Sequence, residues 1–472
     1  MNLANIPLGP WVNELKASIF LIACTLMSAC GQDPPDTVVA RFNTLDDRPP
    51  LIVGHRGLPG LYPEETQPSF EHAADAGADA IEADLHLTKD CVLAARHNPW
   101  LSDNTNVAAV AATNAAVAAR KRVVPGRWVD VAYDVSFYGG PSRYLTDLTD
   151  PKDYKSVLKS LIVDGEDHTG DWSIGDFTMA ELKDWIRGTT FDARDERPTA
   201  DNGKFPILSF QEVIDIAKAK SSSSGRTIAV YLEAKNATWN NAQATANGCG
   251  PVGSHPFEDA IIKIANDNGL NSKDAPLLVQ AFDPASLKYL RSVGLKAKTL
   301  LLIDGNGVDY ETGAVVYRTN DAATIATGRP YSWTLAGKGN YFGELLTPAG
   351  LAEVKTYADA IGVWKPQVMS WTIAPFPKNK SEGAPFTGSL VDVNKVTPTN
   401  LIRDAHAAGL LVFSFTFRDE ARYLPGVYKG NPKGELIQFF AAGIDGVFTD
   451  FTPTAVAARN EYLQAKQHKV NH

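Results

Sequence analysis

The chain has 472 residues, of which 44% are hydrophobic and 21% charged, a composition typical of globular proteins rather than disordered or fibrous ones. Its 54 acidic residues outnumber its 45 basic residues, which gives a formal net charge of −9. This balance excludes a protein that binds nucleic acid through bulk positive charge, so an anionic ligand needs a local binding site. The length alone suggests about three domains, although a single barrel can exceed the usual domain size.

The N-terminal segment resembles a signal peptide. Residues 17–29 form an uncharged run of 13 residues, which is too short to span a bilayer but has the length of a signal-peptide hydrophobic region. The run ends directly before Cys30, and residues 27–30 resemble the lipobox of bacterial lipoproteins, whose cysteine is acylated. We expect a lipoprotein-type signal peptide at 1–29, lipidation of Cys30, and a linker at 30–50. The protein would then be exported as a periplasmic or outer-membrane/cell-surface lipoprotein anchored through Cys30. A buried hydrophobic N-terminal helix is the alternative.

The chain has four cysteines. Cys24 lies in the predicted signal peptide, and Cys30 is the predicted lipidation site. Cys91 and Cys249 remain in the exported part of the chain, where an oxidising compartment allows a disulfide to persist. The sequence therefore predicts either a disulfide between Cys91 and Cys249 or two free, partly buried thiols.

From residue 51 onward, short runs rich in β-branched and aromatic residues are followed by segments of helical period, which is typical of βα units with a parallel sheet. The eight runs are 51–53, 80–82, 227–232, 276–280, 299–303, 360–364, 410–415 and 446–449. Helices are predicted at 69–76, 209–220, 256–268, 284–293, 399–408 and 434–442. Eight such units predict an α/β fold, a TIM (β/α)8 barrel over residues 51–455, followed by a C-terminal helix or tail at 456–472.

Two connections are too long for a plain βα loop. Residues 101–203 contain an Ala-rich tract and then irregular Gly-, Asp-, Tyr- and Trp-rich sequence, and residues 305–359 are similarly irregular. The first is predicted to be a large insertion into the barrel, and the second contains at least a crossover. Residues 221–225, four serines and a glycine, are predicted to be a flexible turn before the third strand.

Acidic residues follow the predicted second and third strands, where a barrel places its active site. Because side chains alternate along a strand, Glu82, Asp84 and His86 share one face, and Glu233 and Lys235 share another. Two carboxylates at a barrel mouth repel each other unless a cation lies between them. Three carboxylates without cysteine favour a hard cation, Ca²⁺ or Mg²⁺, over Zn²⁺. A solvated polar edge is the alternative.

Two histidines and two cations complete this set. His55 and Arg56 follow the first strand between two glycines, and His97 ends a short apolar run. One histidine can deprotonate a nucleophile while the other protonates a leaving alkoxide, as Arg56 and Lys235 hold phosphoryl oxygens. Phosphodiester hydrolysis fits this pattern, although a single histidine is more often structural.

These residues belong to a longer series of motifs. The series comprises 55–57 (His-Arg-Gly), 63–66, 69–70, 77–79, 81–84, 87–90, His97, 177–178, 181–182, 233–235, 280–283, 416–418 and 448–450. In order and spacing it resembles the glycerophosphodiester phosphodiesterase family, in its periplasmic and plant-like branches, over roughly residues 50–455. The resemblance implies a TIM barrel with a divalent metal that hydrolyses small deacylated phospholipids, such as glycerophosphocholine, to sn-glycerol 3-phosphate and an alcohol.

The resemblance also implies a role for each matching residue. His55 and His97 match the catalytic acid/base pair, and Glu82, Asp84 and Glu233 match the metal ligands. Arg56 and Lys235 match the phosphate-binding cations, Glu64 a carboxylate that braces Arg56 or the edge of the site, and Arg418 a substrate contact. The chain departs from the family pattern at four positions, where it has Glu65 for Asn, Cys91 for Gly, Asn98 for Asp and Ala281 for Ser. None of these departures removes a principal ligand, but Asn98 is expected to lower the basicity of His97.

Two other functions remain open at this point. A phospholipase D or C of the same barrel type would act on intact lipid, and it would need an apolar or basic rim that the sequence does not clearly show. Aromatic residues do occur in the insertion, namely Trp128, Phe137, Tyr138, Tyr144 and Trp172. A non-catalytic surface binding protein would keep the barrel without its chemistry.

Overall fold

The computed structural model of the protein describes residues 42–122, 161–191, 196–318, 328–376 and 390–470. The predicted signal peptide, Cys30 and most of the predicted linker lie outside the described residues, as do Trp128, Phe137, Tyr138 and Tyr144. Within the described ranges, no helix is long and apolar enough to cross a membrane.

Eight parallel strands close into a barrel, which confirms the predicted TIM barrel. All eight predicted runs coincide with strands, which are β1 (Leu51–Gly54), β2 (Ala80–Leu87), β6 (Ala229–Ala234), β7 (Leu277–Ala281), β8 (Lys298–Ile303), β11 (Ala360–Trp364), β14 (Leu411–Phe417) and β15 (Gly446–Thr449). The order around the barrel is β1-β15-β14-β11-β8-β7-β6-β2, and β1 pairs with β2 to close it. The remaining strands are β3 (Leu93–Ala95), β4 (Ile162–Val163), β5 (Glu166–Asp167), β9 (Gly307–Asp309), β10 (Ala314–Val316), β12 (Met369–Thr372) and β13 (Lys395–Pro398).

Helices lie between the barrel strands and within the long connections. They are α1 (Gln67–Asp75), α2 (Val107–Ala111), α3 (Ala115–Ala118), α4 (Met179–Trp185), α5 (Phe210–Ser224), α6 (Ala237–Ala246), α7 (Pro256–Asp267), α8 (Pro284–Ser292), α9 (Tyr331–Leu335), α10 (Phe342–Leu345), α11 (Pro348–Val354), α12 (Lys365–Val368), α13 (Leu401–Ala407), α14 (Pro432–Ala442) and α15 (Thr452–Val470). The C-terminal helix thus begins at Thr452, inside the span predicted for the barrel.

The predicted flexible turn at 221–225 is wrong. The four serines form the last turn of α5, where the hydroxyls of Ser221 and Ser224 donate back to helical carbonyl groups four residues earlier. This back-bonding lets serine remain helical. The helix ends only at Gly225, whose φ of 68° is the left-handed conformation that glycine adopts without a steric cost.

The long connections carry their own structure. The described parts of 101–203 include α2, α3, the β4–β5 hairpin and α4, and they surround a separate apolar cluster that contains Val117, Leu161, Trp172 and Phe177. Residues 305–359 hold the β9–β10 hairpin and α9 to α11. A further hairpin, β12–β13, lies between β11 and β14 and was not predicted.

The barrel interior changes from apolar to polar along the strands. Its lower layers contain Val53, Ala80, Tyr231, Leu278, Leu300, Leu302, Ala360, Phe413 and Phe448. Because inward-facing side chains recur every second residue, Tyr231 is followed on the same face by Glu233, and Ala80 by Glu82 and Asp84. The carboxyl ends of the strands therefore present charged groups above a packed apolar floor.

Candidate active site

Three carboxylates from neighbouring strands meet at the barrel mouth. Asp84 on β2 lies directly opposite Glu233 on β6 in the parallel register, and Glu82 is one inward position below Asp84. One oxygen of each residue lies within 4.8 Å of the others, and all three side chains are buried. Within the described ranges, neither carboxylate oxygen of Asp84 has a hydrogen bond of good geometry, although Oδ2 lies 3.0 Å from Arg56 Nε. Buried oxygen ligands with free lone pairs fit a hard divalent cation.

The electrostatics of this cluster also favour binding of a positive charge. Burial, reinforced by Asp84 and Glu233, raises the pKa of Glu82 well above its ordinary value. Burial and Asp84 raise the pKa of Glu233 to about 8, against the opposing charge of Lys235. Burial opposes ionisation of Asp84 too, but Lys235 and Arg56 hold its pKa below the usual range. These shifts oppose simultaneous ionisation of the three groups, and a cation between them would relieve that opposition.

Arg56 connects the cluster to the wall of the site. Its backbone N–H donates to Glu82 Oε2 at 2.8 Å, and its Nε lies 3.0 Å from Asp84 Oδ2. Its Nη1 donates to Glu64 Oε2 at 3.1 Å, which is the bracing contact expected for Glu64. The other Glu64 oxygen accepts from Asn104 Nδ2 at 2.6 Å. The insertion, through Asn104, thus supports the orientation of Arg56.

His55 forms a buried pair with Asp450, a residue to which the sequence assigned no role. Asp450 follows β15, and its Oδ1 lies 2.6 Å from His55 Nδ1. Burial opposes ionisation of Asp450, but Arg418, His55 and Arg197 hold its pKa well below the ordinary value. Since a carboxylate only accepts hydrogen bonds, Nδ1 of His55 carries the proton, and Nε2 is the nitrogen left to exchange protons in the cavity.

Arg418 lies behind this pair rather than among the residues that line the cavity. Its Nε donates to Asp450 Oδ2 at 2.7 Å, and its guanidinium carbon is 4.8 Å from the centre of the Tyr423 ring. Arg197, from the insertion, donates to the same Oδ2 at 2.6 Å. The substrate contact predicted for Arg418 stays a prediction, whereas its contact with Asp450 is a feature of the structure.

His97 lines the same cavity as His55. Within the described residues its Nδ1 has no hydrogen-bond partner, and burial, together with Arg56 and Lys235, lowers its pKa well below the ordinary value. Asn98, expected to tune His97, donates instead to Asp103. The backbone carbonyl of His97 is 3.2 Å from His86 Nε2. His86 itself is buried, which lowers its pKa to about 3, so its contacts to the backbone are structural.

A cavity of about 440 Å³ joins these groups, a size in the range of small-molecule sites. Lys235 Nζ lies 3.3 Å from Glu233 Oε1. Six of the predicted site residues line the cavity, namely His55, Arg56, Glu82, His97, Glu233 and Lys235. The long connections supply part of its wall, including Asp164, Arg329 and Tyr331.

A disulfide joins Cys91 to Cys249, so the structure selects one of the two states left open by the sequence. Cys91 lies in the turn between β2 and β3, and Cys249 follows α6. Neither residue lines the cavity.

Comparison with known proteins agrees with this geometry. The model of the glycerophosphoryl diester phosphodiesterase family matches residues 55–454. The chain belongs to this family. It is similar to "Glycerophosphodiester phosphodiesterase GDPD6" of Arabidopsis thaliana, with 28% identity over 89% of this chain and 88% of the relative. It is also similar to a glycerophosphodiester phosphodiesterase of Haemophilus influenzae, with 22% identity over 93% of this chain and 96% of the relative.

Among solved structures, the chain is similar to an Oleispira antarctica phosphodiesterase in complex with sn-glycerol-3-phosphate. The TM-score is 0.45 and the identity is 13%, and the match covers 88% of this chain and 99% of that chain. A glycerophosphodiester phosphodiesterase from Agrobacterium tumefaciens has a TM-score of 0.43 and 12% identity, with 87% and 99% coverage. The family match, which spans both histidines and all three carboxylates, makes this protein a glycerophosphodiester phosphodiesterase rather than a non-catalytic binding protein.

Proposed function

We propose that this phosphodiesterase hydrolyses glycerophosphodiesters such as glycerophosphocholine to sn-glycerol 3-phosphate and an alcohol, with Ca²⁺ or Mg²⁺ and with His55 and His97 as the acid/base pair. One observation carries the proposal. Both histidines, the three-carboxylate cluster, Arg56 and Lys235 face a single cavity or its floor. Each part has a counterpart in the chemistry of phosphodiester cleavage.

The chain's own residues would handle charge and protons. Glu82, Asp84 and Glu233 would hold the metal, which supplies Lewis-acid polarisation of a phosphoryl oxygen. Lys235 and Arg56 would hold the remaining phosphoryl oxygens. His55, protonated on Nδ1 and paired with Asp450, would exchange a proton through Nε2, while Asp450 stabilises the imidazolium that forms.

Bond changes at phosphorus require two proton transfers. An oxygen nucleophile loses a proton as it bonds to phosphorus, and the leaving alcohol oxygen gains a proton as its bond to phosphorus breaks. The nucleophile is either water or the free glycerol hydroxyl of the substrate, and the second route passes through a cyclic phosphate. Trapping a cyclic glycerophosphate in a rapid quench distinguishes the two routes.

The cavity wall favours a deacylated substrate over an intact lipid. Four acidic side chains from the connections line the cavity, namely Asp164, Glu166, Asp283 and Asp304, together with apolar side chains that include Phe282 and Phe415. Among the described residues, none of the large exposed hydrophobic side chains lines the cavity. The described part of the cavity therefore offers acyl chains no exposed large hydrophobic side chain, which supports a deacylated substrate. Assaying phosphatidylcholine beside glycerophosphocholine tests this preference, and faster cleavage of the intact lipid would favour the phospholipase alternative.

Metal chelation tests the proposed chemistry most directly. EDTA should abolish sn-glycerol 3-phosphate release from glycerophosphocholine, and either Ca²⁺ or Mg²⁺ should restore it. Activity that survives exhaustive chelation contradicts the metal assignment.

His55→Ala should abolish activity with the metal bound. His406→Ala is a matched control, because His406 Nε2 also pairs with a buried aspartate, Asp445, at 2.8 Å, but at the opposite end of β15. Full activity in His55→Ala, or equal loss in His406→Ala, contradicts the role of His55.

We also propose that the protein is exported and lipid-anchored through Cys30. The lipobox-like residues 27–30 support this proposal, as does the Cys91–Cys249 disulfide, since structural disulfides persist mainly in oxidising compartments. Labelling with a radioactive fatty acid should mark the wild-type protein and a Cys24→Ser control but not Cys30→Ser. Equal labelling of all three proteins contradicts acylation at Cys30.

A further inference from the structure

We propose that Arg197, which lies in the insertion at 101–203, is a positioning residue for His55 and acts by fixing the carboxylate of Asp450. The inference rests on the acid/base role proposed for His55. It assigns to the insertion a direct part in the catalytic machinery.

Arg197 bridges two buried carboxylates. Its Nη2 donates to Asp450 Oδ2 at 2.6 Å, and its Nε donates to Glu420 Oε1 at 2.7 Å. The side chains of Arg197, Asp450 and Glu420 are only 4%, 2% and 7% exposed. The guanidinium carbon also lies 5.5 Å from the centre of the Phe451 ring. A guanidinium held at both ends and covered on one face has little freedom to move.

This arrangement decides which oxygen of Asp450 faces His55. Arg197 and Arg418 both donate to Oδ2, so Oδ1 remains for His55 Nδ1. Arg418 alone would allow the carboxylate to turn and offer both oxygens to one guanidinium, which is the common bidentate geometry of arginine. Arg197 removes that alternative because it occupies Oδ2 from the insertion side.

The charged groups around His55 and Asp450 allow the positioning effect of Arg197 to be distinguished from the effect of its charge. The titratable groups that act on His55 are Arg56, Asp84, His97 and Asp450, and those that act on Asp450 are Arg197, Arg418, Lys365, Asp419 and His55. Removing the positive charge of Arg197 leaves Asp450 less compensated, which stabilises the imidazolium of His55. Lysine at position 197 keeps the charge but lacks the planar fork that joins both carboxylates.

Arg122 provides a matched control. It is also a buried arginine of the insertion, 7% exposed, and its Nε donates to Asp176 Oδ2 at 2.7 Å without touching Asp450. Arg122→Met should therefore reproduce any general loosening of the insertion but not the effect on His55. Thermal unfolding of each variant measures that loosening separately.

The experiment compares wild-type, Arg197→Met, Arg197→Lys and Arg122→Met proteins, each as metal-loaded full-length chain, with glycerophosphocholine across pH. We expect Arg197→Met to lose roughly tenfold in kcat with little change in KM, as part of the factor of about 10²–10⁴ that acid/base catalysis supplies. The limb of its pH profile that reports the protonation of His55 should move to higher pH by about half a unit. Arg197→Lys should lose kcat while keeping the wild-type limb.

Each result decides the proposal. Wild-type kcat and pH profile in Arg197→Met overturn it, and so does a kcat loss of the same size in Arg122→Met. If Arg197→Met does not fold, Arg197→Lys decides alone, because wild-type kcat in that variant overturns the positioning role. If the wild-type protein releases no sn-glycerol 3-phosphate, the proposed function is refuted instead. That outcome is distinguishable from a failure of the positioning role of Arg197.

Discussion

The Cys91–Cys249 disulfide allows a stability effect to be calculated from the topology of the chain. The two cysteines are 158 residues apart, and the segment that they enclose contains the insertion and strand β6. In the chain-entropy treatment, closing a loop of this length lowers the entropy of the denatured chain by about 17 cal/mol/K, which corresponds to about 5 kcal/mol at 25 °C. Native disulfides commonly give about 2–5 kcal/mol, so the calculated value is an upper bound.

Replacing both cysteines with alanine removes the bond without leaving a reactive thiol in the body of the protein. Chemical denaturation should show a loss of about 3–5 kcal/mol in the free energy of unfolding. The kcat at 25 °C should be unchanged, because neither cysteine lines the cavity. A reducing agent should lower the stability of the wild type alone, and the double variant is its control.

A loss below about 1 kcal/mol would refute the entropic reasoning, since it would mean that the denatured chain is already restrained in this segment. A loss of activity without a loss of stability would show instead that the bond positions the active site.

Asp450→Asn should lower kcat by a factor of about 10²–10⁴ with a near-normal KM, because the amide cannot stabilise the imidazolium of His55. A loss of kcat below about threefold in steady-state kinetics would contradict the proposed role of the His55–Asp450 pair. Glu233→Gln should weaken Ca²⁺ or Mg²⁺ binding, as measured by isothermal titration calorimetry. It should not destabilise the metal-free protein, since burial already raises the pKa of Glu233 to about 8. Unchanged metal affinity would show that Glu233 is not a metal ligand. Burial lowers the pKa values of His55 and His97 below 6.5. A histidine that acts as the base stays neutral until the pH falls to its pKa, so the acid limb of the pH profile of kcat/KM should lie below pH 6.5. A limb at or above pH 6.5 would contradict this assignment.

The sequence predicted the barrel and the carboxylate cluster because both follow from local alternation. On β2, a period of two places Glu82 and Asp84 on the inward face. Parallel pairing with the next barrel strand then places Glu233 opposite Asp84, as the register shows. Once eight strands are recognised in the sequence, closure of the barrel determines which strand ends lie beside each other. The contacts within the carboxylate cluster can therefore be predicted without further information.

The support for His55 could not be predicted in the same way. Asp450 is 395 residues from His55, and Arg197 is 253 residues from Asp450. Asp450 belongs to a recognisable motif at the end of the last strand, so a search for carboxylates at every strand end would have found it. Arg197 lies in irregular sequence with no periodic pattern. Only the packing of the insertion on the barrel brings its guanidinium to the carboxylate.

A net charge of −9 calls for local positive charge at a site that binds an anionic substrate. Around the carboxylate cluster, the charged side chains in contact include Arg56, Lys235, Glu64, Glu82, Asp84 and Glu233. Both cations are already paired with carboxylates, so they do not make the site positive by themselves. Burial and the neighbouring carboxylates raise the pKa values of Glu82 and Glu233. The proposed divalent cation would compete with protons at these carboxylates, so its binding should tighten as pH rises. The proposed divalent cation would thus supply the charge that lets an acidic protein hold a phosphodiester.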